Sequence, residues 1–213
     1  MPTYGTNVTV EVQKTLEAAD AISGITKANP AVLTTGAAHG WSNGDVIILD
    51  VTGMVELDGQ AVRVANTTAT TAELEGIDST SFGTFVSGTA QKVATWDAFG
   101  LAQSFSVEQQ SVDELDITTL KDAQRQIAYG LLSAVKGSIE ALFEAADVAL
   151  VNLRTATKAK SPRVFRLTFS DSSKAVFNAL VAIGDAFSME AGGVAKTSCS
   201  FTLQGRQIMF YAS

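Results

Sequence analysis

The sequence predicts a mainly β fold of the α+β kind: a β-sandwich or barrel domain with one short helix, plus an inserted small all-β module. Three observations predict it. Short runs alternating apolar and polar residues recur along the chain, the period of half-buried strands. Asn43-Gly44 and Asp58-Gly59 are turn dipeptides of the kind that take φ > 0 between strands. Only the segment Asp147–Thr157 carries a clean helical period, with Asp147 as its cap and Val148, Leu150, Val151 and Leu153 as its apolar residues.

The elements follow in order. Thr6 to Gln13 alternates Val8, Val10 and Val12 with polar neighbours and reads as a strand. Residues 15–24 are mixed and read as a linker ending at Ser23-Gly24. From Ile25 to Val93 aromatics thin out and Thr and Gly rise. Strands are expected over Ala31–Thr35, Asp45–Val51, Ala61–Ala65, Ala72–Ile77 and Thr84–Val86. This spacing suggests a small barrel or sandwich, so 25–93 is read as an insert dividing a discontinuous domain of 1–22 and 95–213.

Leu101–Val107 reads as a strand, and Asp113–Asp116 as an acidic cluster. Residues 127–145 are ambiguous. Ala, Leu, Glu and Lys favour helix, but Gly130 and Gly137 interrupt it, and Ser138–Glu144 also alternates as a strand. Pro162 stops the helix that precedes it. Arg163–Phe169 and Lys174–Val181 flank a Ser-Asp-Ser-Ser turn and read as a hairpin. Phe187–Ala191 and Ala195–Gln204, around Gly192-Gly193, read as a second. Ile208–Tyr211 is an apolar tail that needs a surface to dock on.

The chain of 213 residues carries 17% charged residues and a net charge of −7. No basic run is present, which disfavours a protein that grips nucleic acid by its phosphates. The N-terminus lacks the basic and apolar regions of a signal peptide. No stretch reaches the roughly 18 apolar residues of a membrane helix. The single cysteine, Cys199, excludes an internal disulfide and reads as a buried thiol in a strand. His39 is the only histidine, so a triad or histidine-rich metal site is not expected. Asp45, Asp50 and Asp58 fit turns better than a cation loop. Gly192-Gly193 lacks the Lys-Ser/Thr of a phosphate loop. Trp41 is read as core ahead of a sugar platform. No catalytic residue, metal or cofactor is expected.

The order of parts after Thr95 resembles the tail tube proteins of long-tailed, siphophage-like bacteriophages. Val112-Asp113-Glu114-Leu115-Asp116-Ile117-Thr118-Thr119-Leu120 precedes a strand around 137–144. Leu150-x-x-Leu153-Arg154 follows on a helix, and then the hairpin through Phe165–Asp171. The chain closes its last hairpin on Gly205-Arg206, near the family's ending, with Gln207 where proline is usual and Ser172 where glycine is common. The segments His39–Val46, Gly53–Gly59, Val62–Val64 and Leu74–Ser79 resemble a small β module found in phage tail proteins.

The resemblance implies stacked homohexameric rings whose strands join into one closed barrel, a conduit for DNA ejection with an acidic and polar lumen. Lumen-facing candidates are Ser104, Ser106, Glu108, Ser198, Ser200 and Thr202. A loop over Asp113–Gln126 would bridge rings, with Asp113, Glu114 and Asp116 meeting bases such as Lys121 or Arg125. The implied partners are further copies of the chain, a tape measure protein and DNA in the lumen, and tail terminator and distal tail proteins at the ends. Assembly in the host cytoplasm into a virion tail is expected, without sequence-specific nucleic-acid binding or a membrane. The insert is expected to face outward, where it would obstruct a contractile sheath, so a sheathless tail follows. The alternative is an accessory virion spike or decoration protein that binds the host surface through the insert. An enzyme such as a glycan hydrolase ranks third, since no paired carboxylates are apparent.

Overall fold

The computed structural model describes residues 8–108, 110–121, 123–184, 186–205 and 207–212. The expectations for Thr6, Asn7 and Arg206 lie outside them. The chain is mainly β with one α-helix among the described residues. No described helix is long and apolar enough to cross a membrane.

Six strands close on themselves: β2 (Asp20–Ile25), β3 (Ala31–Thr35), β6 (Thr71–Leu74), β5 (Ala61–Ala65), β4 (Val46–Thr52) and the first half of β7 (Ser87–Ala98). The pairing of β2 with β7 completes the ring. Closure leaves these six strands without a free sheet edge. Leu33, Ile47, Leu49, Val62 and Leu74 fill the interior because alternate positions of each strand point inward.

β7 does not stop at the barrel. Its residues 87–92 pair with β4, and its residues 93–98 pair with β1 (Thr9–Leu16). From β1 a second sheet continues through β12 (Arg163–Thr168), β13 (Lys174–Ile183), β14 (Lys196–Leu203), β11 (Lys136–Leu142) and β8 (Ala102–Val107). This sheet curls tightly. Phe105 on β8 and Phe177 on β13 are three strand spacings apart, about 14 Å in a flat sheet, yet their ring centres lie 5.9 Å apart. The concave face holds Phe105, Ile139, Phe165, Phe177, Cys199 and Phe201.

Helix α1 (Val148–Ala159) covers that core with Leu150, Leu153 and Ala156. Asp147 caps it as expected, its carboxylate accepting from the Leu150 N–H at 2.8 Å. The helix is further tied down by Asn152, whose Nδ2 donates to Gln13 O and to the buried Asp97 carboxylate.

The barrel packs on the convex face of β12 and β13, where Val164 and Val176 join its core. The C-terminal strand β15 (Met209–Tyr211) pairs with β13 and buries Met209 and Tyr211 in the same core. Gln60 Nε2 donates to Gln207 O at 2.8 Å, and Asn178 Nδ2 donates to Gly59 O at 3.0 Å. The apolar tail thus docks on the barrel of its own chain.

Several local expectations are corrected. Residues 20–25, read within a linker, form the first barrel strand. Thr84–Val86 is not a strand, and the strand there starts at Ser87 and runs on past Thr95. Phe187–Ala191 makes no strand. Ser188 alone bridges to Lys196, and β14 pairs instead with β13 and β11. The ambiguous 127–145 segment holds two strands, β10 (Ile127–Leu132) and β11.

Candidate functional site

Strands β8, β11 and β14 share one register that lines up their polar residues. Ser106 lies opposite Ser138, which lies opposite Ser200; Ser104 lies opposite Glu140, which lies opposite Ser198. Residues at opposed positions point to the same side of a sheet. The concave side takes Phe105, Ile139, Cys199 and Phe201, so the convex side takes the hydroxyls. Thr202, opposite Lys136, continues this side and is half-buried.

Four of the hydroxyls, on Ser104, Ser106, Ser138 and Ser200, have partners within the sheet. Ser106 Oγ and Ser138 Oγ are 2.9 Å apart, Ser104 Oγ donates to Glu140 Oε2 at 3.3 Å, and Ser200 Oγ donates to Ala182 O at 3.3 Å. Glu108 follows β8, and its N–H donates to Lys136 O at 2.8 Å. The six residues singled out from the sequence therefore belong to one end of the curled sheet. Alternation along each strand was the signal. Ser138 and Glu140, which complete the face, were missed because only the pairing of β11 brings them there.

β8 is the last strand of this sheet and has a partner on one side only among the described residues. Beside it an apolar slot of about 360 Å³ is lined by Val8, Val10, Phe105, Leu167 and Phe169. A free edge next to an apolar slot is suited to a neighbouring chain.

Between β8 and β11 the chain makes an arm: β9 (Val112–Asp116) and β10 (Ile127–Leu132) pair only with each other. Its neck is pinned by Ser133 N–H donating to Ser111 O at 2.8 Å and Ser111 N–H donating to Ser133 Oγ at 3.0 Å. Asp113, Glu114 and Lys121 are exposed. Asp116 accepts from Thr118 N–H at 2.9 Å and from Arg125 Nε at 3.2 Å, so Asp116 and Arg125 are paired within one arm. The Thr118 hydrogen bonds, assisted by Arg125, hold the Asp116 carboxyl below its ordinary range. Sequence reasoning stressed the arm's charges and passed over its apolar residues. Leu115, Tyr129 and Leu131 are 54%, 77% and 82% exposed.

The residues weighed for chemistry have structural surroundings. Trp41 is buried and stacks on His39 at 4.2 Å, so it presents no sugar platform. His39 Nδ1 accepts from the Trp41 N–H at 2.9 Å. Asp45 caps the Ser42 N–H at 2.8 Å, and Asp58 accepts from Val51 N–H at 3.2 Å. Burial pushes the Cys199 thiol up to about 12, far from a reactive thiolate.

A family model described as phage tail tube protein matches residues 52–213. No curated protein matches. Among solved structures 18 chains match. One comes from the tail of an empty GTA particle refined with helical C6 symmetry. It is 14% identical, the match covers 55% of this chain and 87% of that one, and the TM-score is 0.40.

Proposed function

We propose that this chain, which belongs to the phage tail tube protein family, builds the tail as homohexameric rings stacked into a tube, with the serine face of β8, β11 and β14 lining the lumen. The observation that carries this reading is the division of one convex surface. The barrel covers it at β12 and β13, and a hydroxyl-rich face occupies it at β14, β11 and β8. The tight curl turns these two patches away from each other, so a lumen on one side puts the barrel on the outer wall.

Short hydroxyls, with Ser106 bonded to Ser138 and Ser104 to Glu140, offer passing DNA few cations, with Lys136 and Lys196 as the basic residues at the two ends of the face. Phosphates would slide past without the counterion release that drives binding. Ring closure would use the free edge of β8, since joining edges between copies removes the aggregation hazard of an open sheet. The arm would reach between rings, and Asp113, Glu114 and Lys121 remain candidates for charge contacts there. The barrel, from β2 through residues 87–92 of β7, would be the outward module on a tube domain built from the rest of the chain, and the tail would be sheathless. The tape measure protein in the lumen, with terminator and distal tail proteins at the ends, completes the virion tail. The role is structural rather than catalytic.

Negative-stain electron microscopy of the purified chain at rising concentration, with light scattering on the same samples, tests the reading. Six-membered rings or hollow tubes with outer knobs are the expected result. Monomers or compact trimers at every concentration, even with tail-tip or tape measure proteins added, would overturn it in favour of a spike.

A further inference from the structure

The barrel and the curled sheet meet along a cleft of about 470 Å³. Its sheet wall carries Gln13 of β1, Arg163 at the start of β12, Asn178 of β13 and Gln204 after β14. Its barrel wall carries Asp50 of β4 and Asp58 in the turn before β5.

Two donors on the sheet wall are left over. Gln13 is 4% exposed. Its Oε1 accepts from the Val164 N–H at 3.1 Å, and its Nε2 has no partner among the described residues. Arg163 donates Nε to Asn152 Oδ1 at 3.1 Å, and Nη1 to Ser161 Oγ at 2.8 Å and Pro162 O at 3.0 Å. Its Nη2 is left, and it makes no ion pair among the described residues. Burial pushes its guanidinium below the ordinary value, as expected of a half-buried cation without a counter-ion. Buried Asn178 lies in the same wall, its Nδ2 spent on Gly59 O and its Oδ1 without a donor. Folded chains seldom leave such groups idle.

The missing partners define a ligand. Gln13 Nε2 and Arg163 Nη2 require an acceptor, and the guanidinium favours an anionic one. Asp50 and Asp58 across the cleft repel a second negative charge and accept hydrogen bonds from hydroxyls. A single carboxylate carrying several hydroxyls meets both demands. Phosphate brings excess charge, and a simple fatty acid brings no donors. The volume lies in the range of small-molecule sites. We propose that this cleft binds a sugar acid, with its carboxylate on Gln13 and Arg163 and its hydroxyls on Asp50 and Asp58. The cleft belongs to one subunit, so this binding goes beyond the tube reading and does not depend on it.

The test titrates the full chain with glucuronate, galacturonate and a galacturonate trimer, followed by saturation-transfer NMR and calorimetry. Saturable binding of a hexuronate is expected. Glucose, which lacks the carboxylate, acetate, which lacks the hydroxyls, and alanine, which replaces them by an ammonium, should each bind about tenfold more weakly or worse. Arg163→Met should cost about tenfold in affinity. Arg163 also braces Asn152 and Ser161, so Gln204→Trp, at an exposed position of the cleft, provides an independent block and should cost at least as much. A trimer that binds more tightly than the monomer identifies a polysaccharide as the source of the sugar acid, and equal affinity a free one. No saturable binding of any hexuronate, equal binding of glucose, acetate or alanine, or wild-type affinity in folded Q204W would overturn the proposal. Each of those results leaves the tube reading standing, and a chain that binds hexuronate but never forms rings removes only the tube.

Discussion

The phenol oxygen of Tyr211 accepts a hydrogen bond from the backbone N–H of Arg63 at 2.8 Å, and the Arg63 guanidinium lies 4.6 Å from the centre of the same ring. One residue of the C-terminal strand thereby fastens the barrel to the curled sheet. Removing only the hydroxyl in Tyr211→Phe leaves the ring in place and the N–H without its acceptor, at a cost of about 1–2 kcal/mol. Tyr211→Ala also empties core volume and should cost about 3–5 kcal/mol. Urea denaturation of both variants, compared at a common slope, measures this. Equal small losses would show that the ring packs little energy into the junction.

Gly137 is held for a different reason than the helix-breaking role that its sequence context suggests. A Cβ there would collide with the Phe201 ring and with the Ser106 carbonyl oxygen. Gly137→Ala should therefore destabilise the fold by about 1–3 kcal/mol through overpacking. If the residue merely disfavoured helix, the alanine variant would be neutral in the same denaturation assay.

Stability should fall on the alkaline side. Burial raises the Cys199 thiol from 9.0 to about 12 and also raises the Tyr211 phenol. Both groups stay protonated in the folded chain while the unfolded chain loses its protons, so the unfolded state binds fewer protons and stability declines as pH rises. The Cys199 contribution is complete below about pH 9 and is lost progressively towards about pH 12. Tyr211 adds to the slope above about pH 10. Cys199→Ala should flatten the first part of this curve, and Y211F the second. A pH profile unchanged by either variant would contradict the assignment.

Cations on the serine face should turn a slippery wall into a binding one. Ser106 and Ser200 flank Ser138 in one row across the three strands. The triple lysine variant should assemble but retain linear DNA in co-sedimentation at low salt, with release as salt rises. Retention indifferent to salt, or none, would place the face elsewhere than the lumen.

The parts of this fold that could be read in the sequence are those with one partner environment. Thr197, Cys199, Phe201 and Leu203 face a single core, so β14 alternates cleanly and its parity assigns Ser198 and Ser200 to the other side. The same holds for Ser104 and Ser106 around Phe105. β7 resisted reading because Ser87–Lys92 belongs to the barrel and Val93–Ala98 to the sheet, and its burial pattern changes midway. β10 was hidden by the helix preference of its surroundings, which the cross-strand pairing with β9 overrides. The free edge of β8 and the arm's uncovered leucines depend on strand order, a property of the whole chain that no local pattern carries. Ser172 adopts φ 65 in the turn between β12 and β13, a left-handed conformation that favours glycine.

A serine face inside the tube is closed to bulky reagents, whereas a barrel on the outer wall stays open to them. Single cysteines at Ser106 and at exposed Val55 of the barrel, each in a C199A background, can be challenged with a bulky maleimide before and after assembly. Both should react in the free subunit; in tubes Val55→Cys should stay reactive while Ser106→Cys becomes protected. Protection of the barrel cysteine, or equal reactivity of both in intact tubes, would show that the serine face does not line the lumen.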